Sequence, residues 1–230
     1  MKLLALDTST EACSAALWLD GQLSHVDEVC PQQHSKRILP MIDQLLVSAG
    51  VRLQQLDGLV FGRGPGSFTG VRIGVGVAQG LAFAADLPVY GVSTLQAMAQ
   101  AAFRQTQQTR VVAAIDARMA EVYIAQYQFD AASGLMLPQS AEVACKPEQL
   151  PPLLLADVQL LVGTGAQTYP SLLQAWANGA GCSHDILLPS AQDMLSIAIP
   201  AFIRGDFVTA ECAEAVYVRD EVTWQKLPGR

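Results

Sequence analysis

The sequence predicts an α/β protein made of two lobes of similar design. Apolar runs of strand length alternate along the chain with segments of helical period. An apolar strand that ends in an aspartate occurs twice, at residues 3–7 and 111–116, and each copy is followed by a polar turn and another strand. We therefore predict a duplication, with an N-terminal lobe at residues 1–104 and a C-terminal lobe at 105–230, whose terminal helix and tail pack back toward the lobe interface.

The composition is typical of a globular chain that does not bind nucleic acid by itself. Of the 230 residues, 51% are apolar and 15% are charged. Lys and Arg number 14 against 21 Asp and Glu, and the net charge of -7 has the wrong sign for holding a phosphate backbone. Any contact with RNA is therefore expected to be indirect, through a partner.

Cysteine usage and the N-terminus indicate the compartment. The five cysteines are scattered without a CxxC pair, which is typical of free thiols in a reducing environment. The short apolar run after Met1 is broken by Asp7, and we expect no apolar stretch to be long enough to cross a bilayer. The expected location is cytoplasmic, with no membrane partner.

The first lobe opens with three antiparallel strands, at residues 3–6, 13–19 and 22–29, the last two joined by an Asp20-Gly21 hairpin turn. A helix follows at residues 35–49, with Pro40 expected in its first turn and Gly50 as its C-terminal stop. The remaining elements are a strand at 56–61, a helix at 67–85 capped by Ser67, a strand at 88–92 and a helix at 94–103.

The second lobe repeats this order in reduced form. Strands are predicted at residues 111–116 and 121–129, with a hairpin near 130–134 and extended chain near 141–145. The final elements are helices near 148–155 and 170–177, a strand at 159–162, a helix at 191–203 with Pro200 near its end, and a frayed tail at Pro228-Gly229.

Two groups of polar residues follow strand ends. Asp7 and Asp116 end the first strand of each lobe, where they either hold a divalent cation through water or simply accept turn N–H groups. The hydroxyl turn Thr8-Ser9-Thr10 can hold phosphate oxygens, and Gly163-Thr164-Gly165 can let an adenosine approach the backbone. Ordinary turns are the favoured explanation of both motifs.

The helix at 67–85 carries a stripe of small residues four apart: Gly66, Gly70, Gly74, Ala78 and Ala82. Interior glycines cost a helix about 1 kcal/mol each relative to alanine, so a close-packed backbone must offset them. That backbone belongs either to the same chain or to a partner's helix. No P-loop, dinucleotide fingerprint, HxxxH pair or G-x-S-x-G elbow is present, and His184-Asp185 is expected to be exposed.

Three segments carry a resemblance to a known family. They are Leu6-Asp7-Thr8-Ser9-Thr10-Glu11-Ala12, the block Gly62-Arg63-Gly64-Pro65-Gly66-Ser67-Phe68-Thr69-Gly70-Val71-Arg72-Ile73-Gly74, and Ile115-Asp116-Ala117-Arg118. With them the chain resembles the TsaB (YeaZ) family of the bacterial tRNA threonylcarbamoyladenosine system, and the similarity extends through Tyr217 and residues 224–229.

This resemblance implies two duplicated RNase H-like lobes of the actin/Hsp70 type, each a mixed sheet with flanking helices. It also implies a subunit without catalysis of its own, which binds the catalytic paralogue TsaD and, with the ATPase TsaE, supports threonylcarbamoyl transfer to the tRNA adenosine beside the anticodon. TsaD carries an HxxxH metal pair where this chain reads Ser93-Thr94-Leu95-Gln96-Ala97. ATP, Mg²⁺ and the metal are then expected to belong to the partners.

The resemblance further implies that helices 35–49 and 67–85 bind TsaD, or form a homodimer when TsaD is absent. The contact residues expected on this basis are Met41, Leu45, Gly66, Gly70, Val71, Gly74, Val75 and Ala78. Residual nucleotide-site candidates are Asp7, Thr8, Ser9, Thr10, Asp116, Arg118, Gly163, Thr164 and Gly165. A sugar-kinase-type phosphotransferase remains the first competing function, and a peptidase the second.

Overall fold

The computed structural model describes residues 1–151, 157–172, 181–182 and 185–219. Its first sheet contains β1 (Lys2–Asp7), β2 (Ala12–Leu19), β3 (Gln22–Val29), β4 (Gly58–Gly64) and β5 (Val89–Ser93) in the order β3-β2-β1-β4-β5. β1 to β3 are antiparallel, whereas β4 and β5 run parallel to β1. The three antiparallel opening strands and the two later strands predicted for the first lobe are thereby confirmed.

The second sheet repeats this topology. It contains β6 (Arg110–Arg118), β7 (Glu121–Asp130), β8 (Leu135–Pro138), β10 (Leu160–Val162) and β11 (Gly181–Cys182) in the order β11-β10-β6-β7-β8, while β9 (Val143–Cys145) pairs with β7. Here β6 corresponds to β1, and β10 lies parallel to it as β4 lies parallel to β1. The two sheets confirm the predicted duplication.

Five helices of the described chain flank the sheets: α1 (His34–Ala49), α2 (Phe68–Ala85), α3 (Thr94–Thr106), α4 (Gly165–Thr168) and α5 (Ala191–Arg204). Gly50 ends α1 in the left-handed conformation, and the Ser67 side chain accepts the Gly70 N–H at the start of α2, as predicted. The Asp20-Gly21 turn has positive φ at both residues, as its hairpin requires.

Alternate residues of β1 pack into two different hydrophobic cores. Leu4 and Leu6 pack with α1 and α2 on one face of the first sheet. Leu3 and Ala5 pack with α5 on the opposite face. Because both faces of β1 are covered, its side chains form a continuous buried apolar run.

Two helices each pack on the sheet of the other lobe. α3 follows the last strand of the first sheet but packs on the second sheet, whereas α5 follows the second sheet and packs on the first. Arg104 of α3 makes two hydrogen bonds, of 2.7 and 3.0 Å, to the buried carboxylate of Asp193 in α5. The two lobes are therefore connected by helix packing as well as by the chain.

Several local predictions were wrong. α1 begins at His34, so Pro40 lies in its interior rather than in its first turn. Near residue 148 the described chain forms a single 3₁₀ turn, Pro147–Gln149, and residues 152–156 lie outside the described residues. Most of the helix predicted at 170–177 also lies outside them, as do His184 and the end of the tail.

The length of α2 corrects another prediction. Phe68–Ala85 has 18 residues and is long and apolar enough by composition to cross a membrane, although only a third of it is buried in the fold. Core helices of globular proteins meet the same two criteria. In this chain the small residues of α2 are buried against the first sheet together with Val71 and Val75. Four further apolar residues (Ile73, Val77, Leu81 and Ala85) are partly buried, and the remaining side of the helix faces outward.

Candidate functional site

The aspartate that ends β1 is buried inside the protein. Asp7 is 1% exposed, and its Oδ1 accepts the N–H and the hydroxyl of Ser9 at 3.1 and 2.9 Å. Its Oδ2 has no hydrogen-bond partner within the described part of the chain. Burial raises the pKa of Asp7 from 3.8 to about 6, and the two Ser9 hydrogen bonds only partly oppose this shift.

The turn after Asp7 contacts the start of α2. The Thr8 hydroxyl donates to the Gly70 carbonyl oxygen at 2.7 Å, and the Ser67 N–H donates to the Ser9 carbonyl oxygen at 2.7 Å. A methyl group on Gly66 or Gly70 would collide with the backbone of this turn. On Gly74 it would lie 2.8 Å from the Thr8 hydroxyl oxygen. The backbone that packs against the glycine stripe therefore belongs to the same chain.

This packing corrects the expected contact residues. The following seven are buried inside the first lobe: Met41, Leu45, Gly70, Val71, Gly74, Val75 and Ala78. Gly66 is half-buried against Ser9. The helical period identified the small face of α2 correctly, but that face points inward, so these residues are not available to a partner.

The outer faces of α1 and α2 lie side by side, because both helices cover the same face of the first sheet. On α2, Gly76 and Gly80 have open space where a side chain would project. On α1, Leu39 and Val47 are exposed, Val47 to 71%. We call this surface (Leu39, Val47, Gly76 and Gly80) the outer helical face.

A cleft of about 290 Å³ lies between the lobes. It brings together five of the nucleotide-site candidates: Ser9, Thr10, Asp116, Arg118 and Thr164. Sequence reasoning missed six further polar or aromatic residues of its wall: Glu11, Gln32, His34, Ser67, Phe68 and Tyr123. His34 is 8% exposed and its Nε2 has no hydrogen-bond partner. Because these residues lie far apart in the chain, no local pattern could have grouped them.

Arg118 is already paired within this cleft. Its guanidinium contacts Asp116 at 2.9 Å and Glu11 of the other lobe at 2.9 Å. The Tyr169 hydroxyl donates to the second oxygen of Asp116 at 3.0 Å. One cation thus faces two carboxylates, which leaves little positive charge for a phosphate group.

Arg118 sits in a strained hairpin turn. Arg118, Met119 and Ala120 have φ values of 62°, 57° and 60°, although none is glycine. The left-handed conformation costs a residue with a Cβ about 1–2 kcal/mol. This turn shifts the β6–β7 register between Asp116 and Arg118 and orients Arg118 toward Glu11.

For the two remaining motifs the structure favours the second interpretation given above, that of ordinary turns: Asp7 accepts the Ser9 N–H and Asp116 accepts the Arg118 N–H. Gly163 has a φ of 102°, and a methyl group there would collide with the Ala114 carbonyl oxygen, while Gly165 touches Ala114 as well. Both glycines are therefore required by internal packing, and the approach of an adenosine to them stays a prediction. Asp7 is buried outside the cleft and Asp116 pairs with Arg118, so the structure does not present them as a carboxylate pair for a cation.

The segment in which the resemblance implies the counterpart of the TsaD metal pair carries hydroxyl groups with structural partners. The Ser93 side chain caps α3 by accepting the Gln96 N–H at 3.1 Å and also donates to Glu142. The Thr94 hydroxyl donates to Ser9 at 3.1 Å. Within the described parts of the chain, no three His, Cys, Asp or Glu residues are grouped closely enough to hold a metal ion.

The TsaD family model, described as tRNA N6-adenosine threonylcarbamoyltransferase, matches residues 26–153. Two relatives named tRNA threonylcarbamoyladenosine biosynthesis protein TsaB are each 49% identical to this chain. The one from Escherichia coli K12 aligns over 100% of both chains, and the one from Haemophilus influenzae over 100% of this chain and 98% of its own length. The chain belongs to the TsaB family.

Solved structures agree with this assignment. YeaZ from Pseudomonas aeruginosa is 46% identical, with a TM-score of 0.85 over 94% of this chain and 99% of its own. A second Pseudomonas aeruginosa structure, described as an uncharacterized protein with similarity to peptidase YEAZ, has a TM-score of 0.87 over 95% and 99%. The predicted two-lobed, actin-like fold of the TsaB family is thereby confirmed, and the chain is a tRNA threonylcarbamoyladenosine biosynthesis protein of that family.

Proposed function

We propose that this chain is a non-catalytic subunit that binds TsaD. In this role it supports TsaD while the threonylcarbamoyl group passes from threonylcarbamoyl-AMP to the tRNA adenosine next to the anticodon. The observation that carries the proposal is the outer helical face, where only a third of the apolar helix α2 is buried and Leu39 and Val47 of α1 are exposed. Exposed apolar side chains beside an open helix backbone are typical of protein interaction sites.

The shape of the outer helical face supports docking of another helix. Gly76 and Gly80 lie one turn apart on α2 with nothing within 4 Å of their side-chain positions. A partner helix can therefore approach the α2 backbone closely, while Leu39 and Val47 of α1 provide apolar contacts beside it. The interface expected from the resemblance thus stays on helices α1 and α2 but moves to their opposite side. The same surface would form the homodimer when TsaD is absent.

The absence of an organised reactive group among the described residues supports a non-catalytic role. Asp7 is sealed, Ser93 and Thr94 are engaged in capping and packing, and Arg118 is paired with two carboxylates. His25 contacts Asp27, and in the described ranges no hydrogen bond joins a histidine to a serine or cysteine, as a peptidase would need. On this proposal ATP, Mg²⁺ and the metal ion belong to TsaD and TsaE, and tRNA contacts the assembly mainly through those partners.

Reconstitution tests this role. Purified TsaD, TsaE, tRNA and threonylcarbamoyl-AMP should give modified tRNA only when this chain is added. The chain incubated alone with tRNA and threonylcarbamoyl-AMP should give none. Transfer by the isolated chain, or full activity when it is omitted, would contradict the proposal.

The cleft of about 290 Å³ favours one alternative, a phosphotransferase of the sugar-kinase type, because its walls include Ser9, Thr10, Asp116 and Thr164. Calorimetry of the isolated chain with Mg-ATP separates the two functions. The subunit proposal predicts weak or undetectable heat, since the cleft cation is already paired. Micromolar affinity with ATP turnover would favour the phosphotransferase.

A further inference from the structure

A groove of about 700 Å³ lies at the C-terminal end of α2, outside the outer helical face and the cleft. One side is formed by the last turn of α2 and the residues after it, from Ala82 to Pro88. The other side is the segment from Phe207 to Glu211. Two backbone hydrogen bonds between Val89 and Val208, of 2.8 and 3.0 Å, fix this segment to the edge of the first sheet.

The walls of the groove are apolar and uncovered. Phe83 is 73% exposed, and Phe207 and Val208 are each more than two-fifths exposed. Leu87 and Ala210 form a buried floor between them. Phe207 is held in place by stacking on Phe202, with ring centroids 5.3 Å apart. Large exposed side chains around a fixed concave surface are typical of a docking site.

The electrostatics of the groove are negative. Asp86 and Glu211 are both exposed, and neither carboxylate has an ion-pair partner in the part of the chain that the structure describes. Hydrogen bonds from its own backbone N–H and from Thr209 lower the pKa of Glu211, so this carboxylate is ionised at neutral pH. Among the described residues that line the groove there is no Lys or Arg.

The end of α2 adds to this negative potential. The N–H groups of Asp86 and Leu87 both donate to the Ala82 carbonyl oxygen, residue 88 is proline, and the Val89 N–H donates to Val208. The carbonyl oxygens of residues 83–85 therefore receive no hydrogen bond from the four residues that follow the helix. They carry the negative end of the helix dipole, and no basic residue occupies the last turn to balance it.

We propose that this groove is a second docking site, which takes a segment of a partner protein that carries Lys or Arg beside aliphatic residues. The aliphatic side chains fill the space between Phe83 and Phe207, and the cation lies between Asp86, Glu211 and the last carbonyl groups of α2. Charge complementarity selects this occupant over an acidic or purely apolar segment. The inference does not depend on the proposed function, because its residues and its test involve neither TsaD nor tRNA.

The test uses the full chain labelled with ¹⁵N and three blocked octapeptides. One alternates Leu and Arg, and the other two have Gln or Glu in place of Arg. Chemical-shift mapping should place the Leu-Arg peptide at residues 82–88 and 207–211. Its Kd should be at least about tenfold lower than that of the Leu-Gln peptide, and should rise as salt screens the charges. The Leu-Glu peptide should not bind.

A double substitution, Asp86→Asn with Glu211→Gln, should raise the Kd of the Leu-Arg peptide to that of the Leu-Gln peptide. Both side chains are exposed, so the variant should remain folded with only a small change in its thermal midpoint. The matched control, Asp43→Asn with Glu148→Gln, removes the same net charge from exposed sites elsewhere and should leave the Kd unchanged.

Three results would overturn the proposal. Equal affinity for the Leu-Arg and Leu-Gln peptides would show that the groove takes an uncharged segment. Shifts confined to residues outside the groove would place the binding elsewhere. An equal loss of affinity in the control variant would show attraction by net charge alone.

Discussion

The hydroxyl of Thr8 donates a hydrogen bond of 2.7 Å to the carbonyl oxygen of Gly70, across the point where the first strand of the protein meets helix α2. This contact exists because Gly70 has no side chain, so the Thr8 backbone lies directly against the helix. The small-residue face of α2 is therefore buried inside the first lobe. Its opposite face, with Gly76 and Gly80, is the one left for a partner.

Two glycine-to-alanine substitutions should therefore have opposite effects on stability. Gly70→Ala places a methyl group against the Thr8 backbone, and we expect it to lower the free energy of unfolding by about 2 kcal/mol or more. Gly76→Ala enters open space in the middle of a helix and should raise it by about 0.5–1 kcal/mol. Urea unfolding measures both, and equal effects would contradict the assignment of the inward and outward faces.

The buried carboxyl of Asp7 should make stability fall as pH rises. Its pKa is about 6 in the folded chain and 3.8 as the ordinary value, so between these values the folded state binds more protons than the unfolded state. The stability of the folded state therefore declines from about pH 4 to pH 6, by about 3 kcal/mol for this group, and then levels off. Asp7→Asn should remove this slope. A difference between the two proteins that stays constant from pH 4 to pH 7 would contradict the prediction.

The ion pair between Arg104 and Asp193 should stabilise the packing of α3 against α5, the two helices that connect the lobes. Burial raises the pKa of Asp193, and the Arg104 hydrogen bonds oppose this shift. Arg104→Ala leaves a buried carboxylate without its cation and should cost about 2 kcal/mol, since Arg104 is itself 44% exposed. The double variant Arg104→Met with Asp193→Leu should recover most of the loss in thermal unfolding. A loss below about 0.5 kcal/mol in the single variant would show that the pair contributes little.

The strained turn at residues 118–120 offers a site for a stabilising substitution. Ala120 has a φ of 60°, which glycine adopts without penalty. Ala120→Gly should therefore raise the free energy of unfolding by about 1 kcal/mol. Ala113→Gly, at a buried strand position, serves as a control and should lower it. A neutral or destabilising effect at residue 120 would indicate that the turn is not strained.

Most elements of the first lobe could be predicted because their limits depend on local chemistry. Asp20-Gly21 supports positive φ, Ser67 supplies a cap and Gly50 a left-handed stop. The position of Pro40 could not be predicted in the same way. Gln33 at the start of α1 makes no side-chain cap, so nothing local marks where that helix begins.

Whether the glycine stripe faces the protein interior or a partner could not be predicted without the tertiary contacts. A helical period shows that one face is small, but it does not show which backbone covers that face. Here the cover is the turn at Thr8 and Ser9, about sixty residues earlier in the chain. The cleft depends in the same way on contacts between lobes, such as that between Arg118 and Glu11, and no spacing rule encodes them.

The most direct test of the account is the affinity of this chain for TsaD when the outer helical face is blocked. Gly80→Arg places a long charged side chain on that face, and Ser196→Arg places the same side chain on the exposed side of α5 as a matched control. Calorimetric titration with TsaD should show binding for the parent chain and for Ser196→Arg, and a loss of at least about a hundredfold in affinity for a folded Gly80→Arg. Unchanged affinity in Gly80→Arg would contradict the central claim that TsaD binds the outward side of α2.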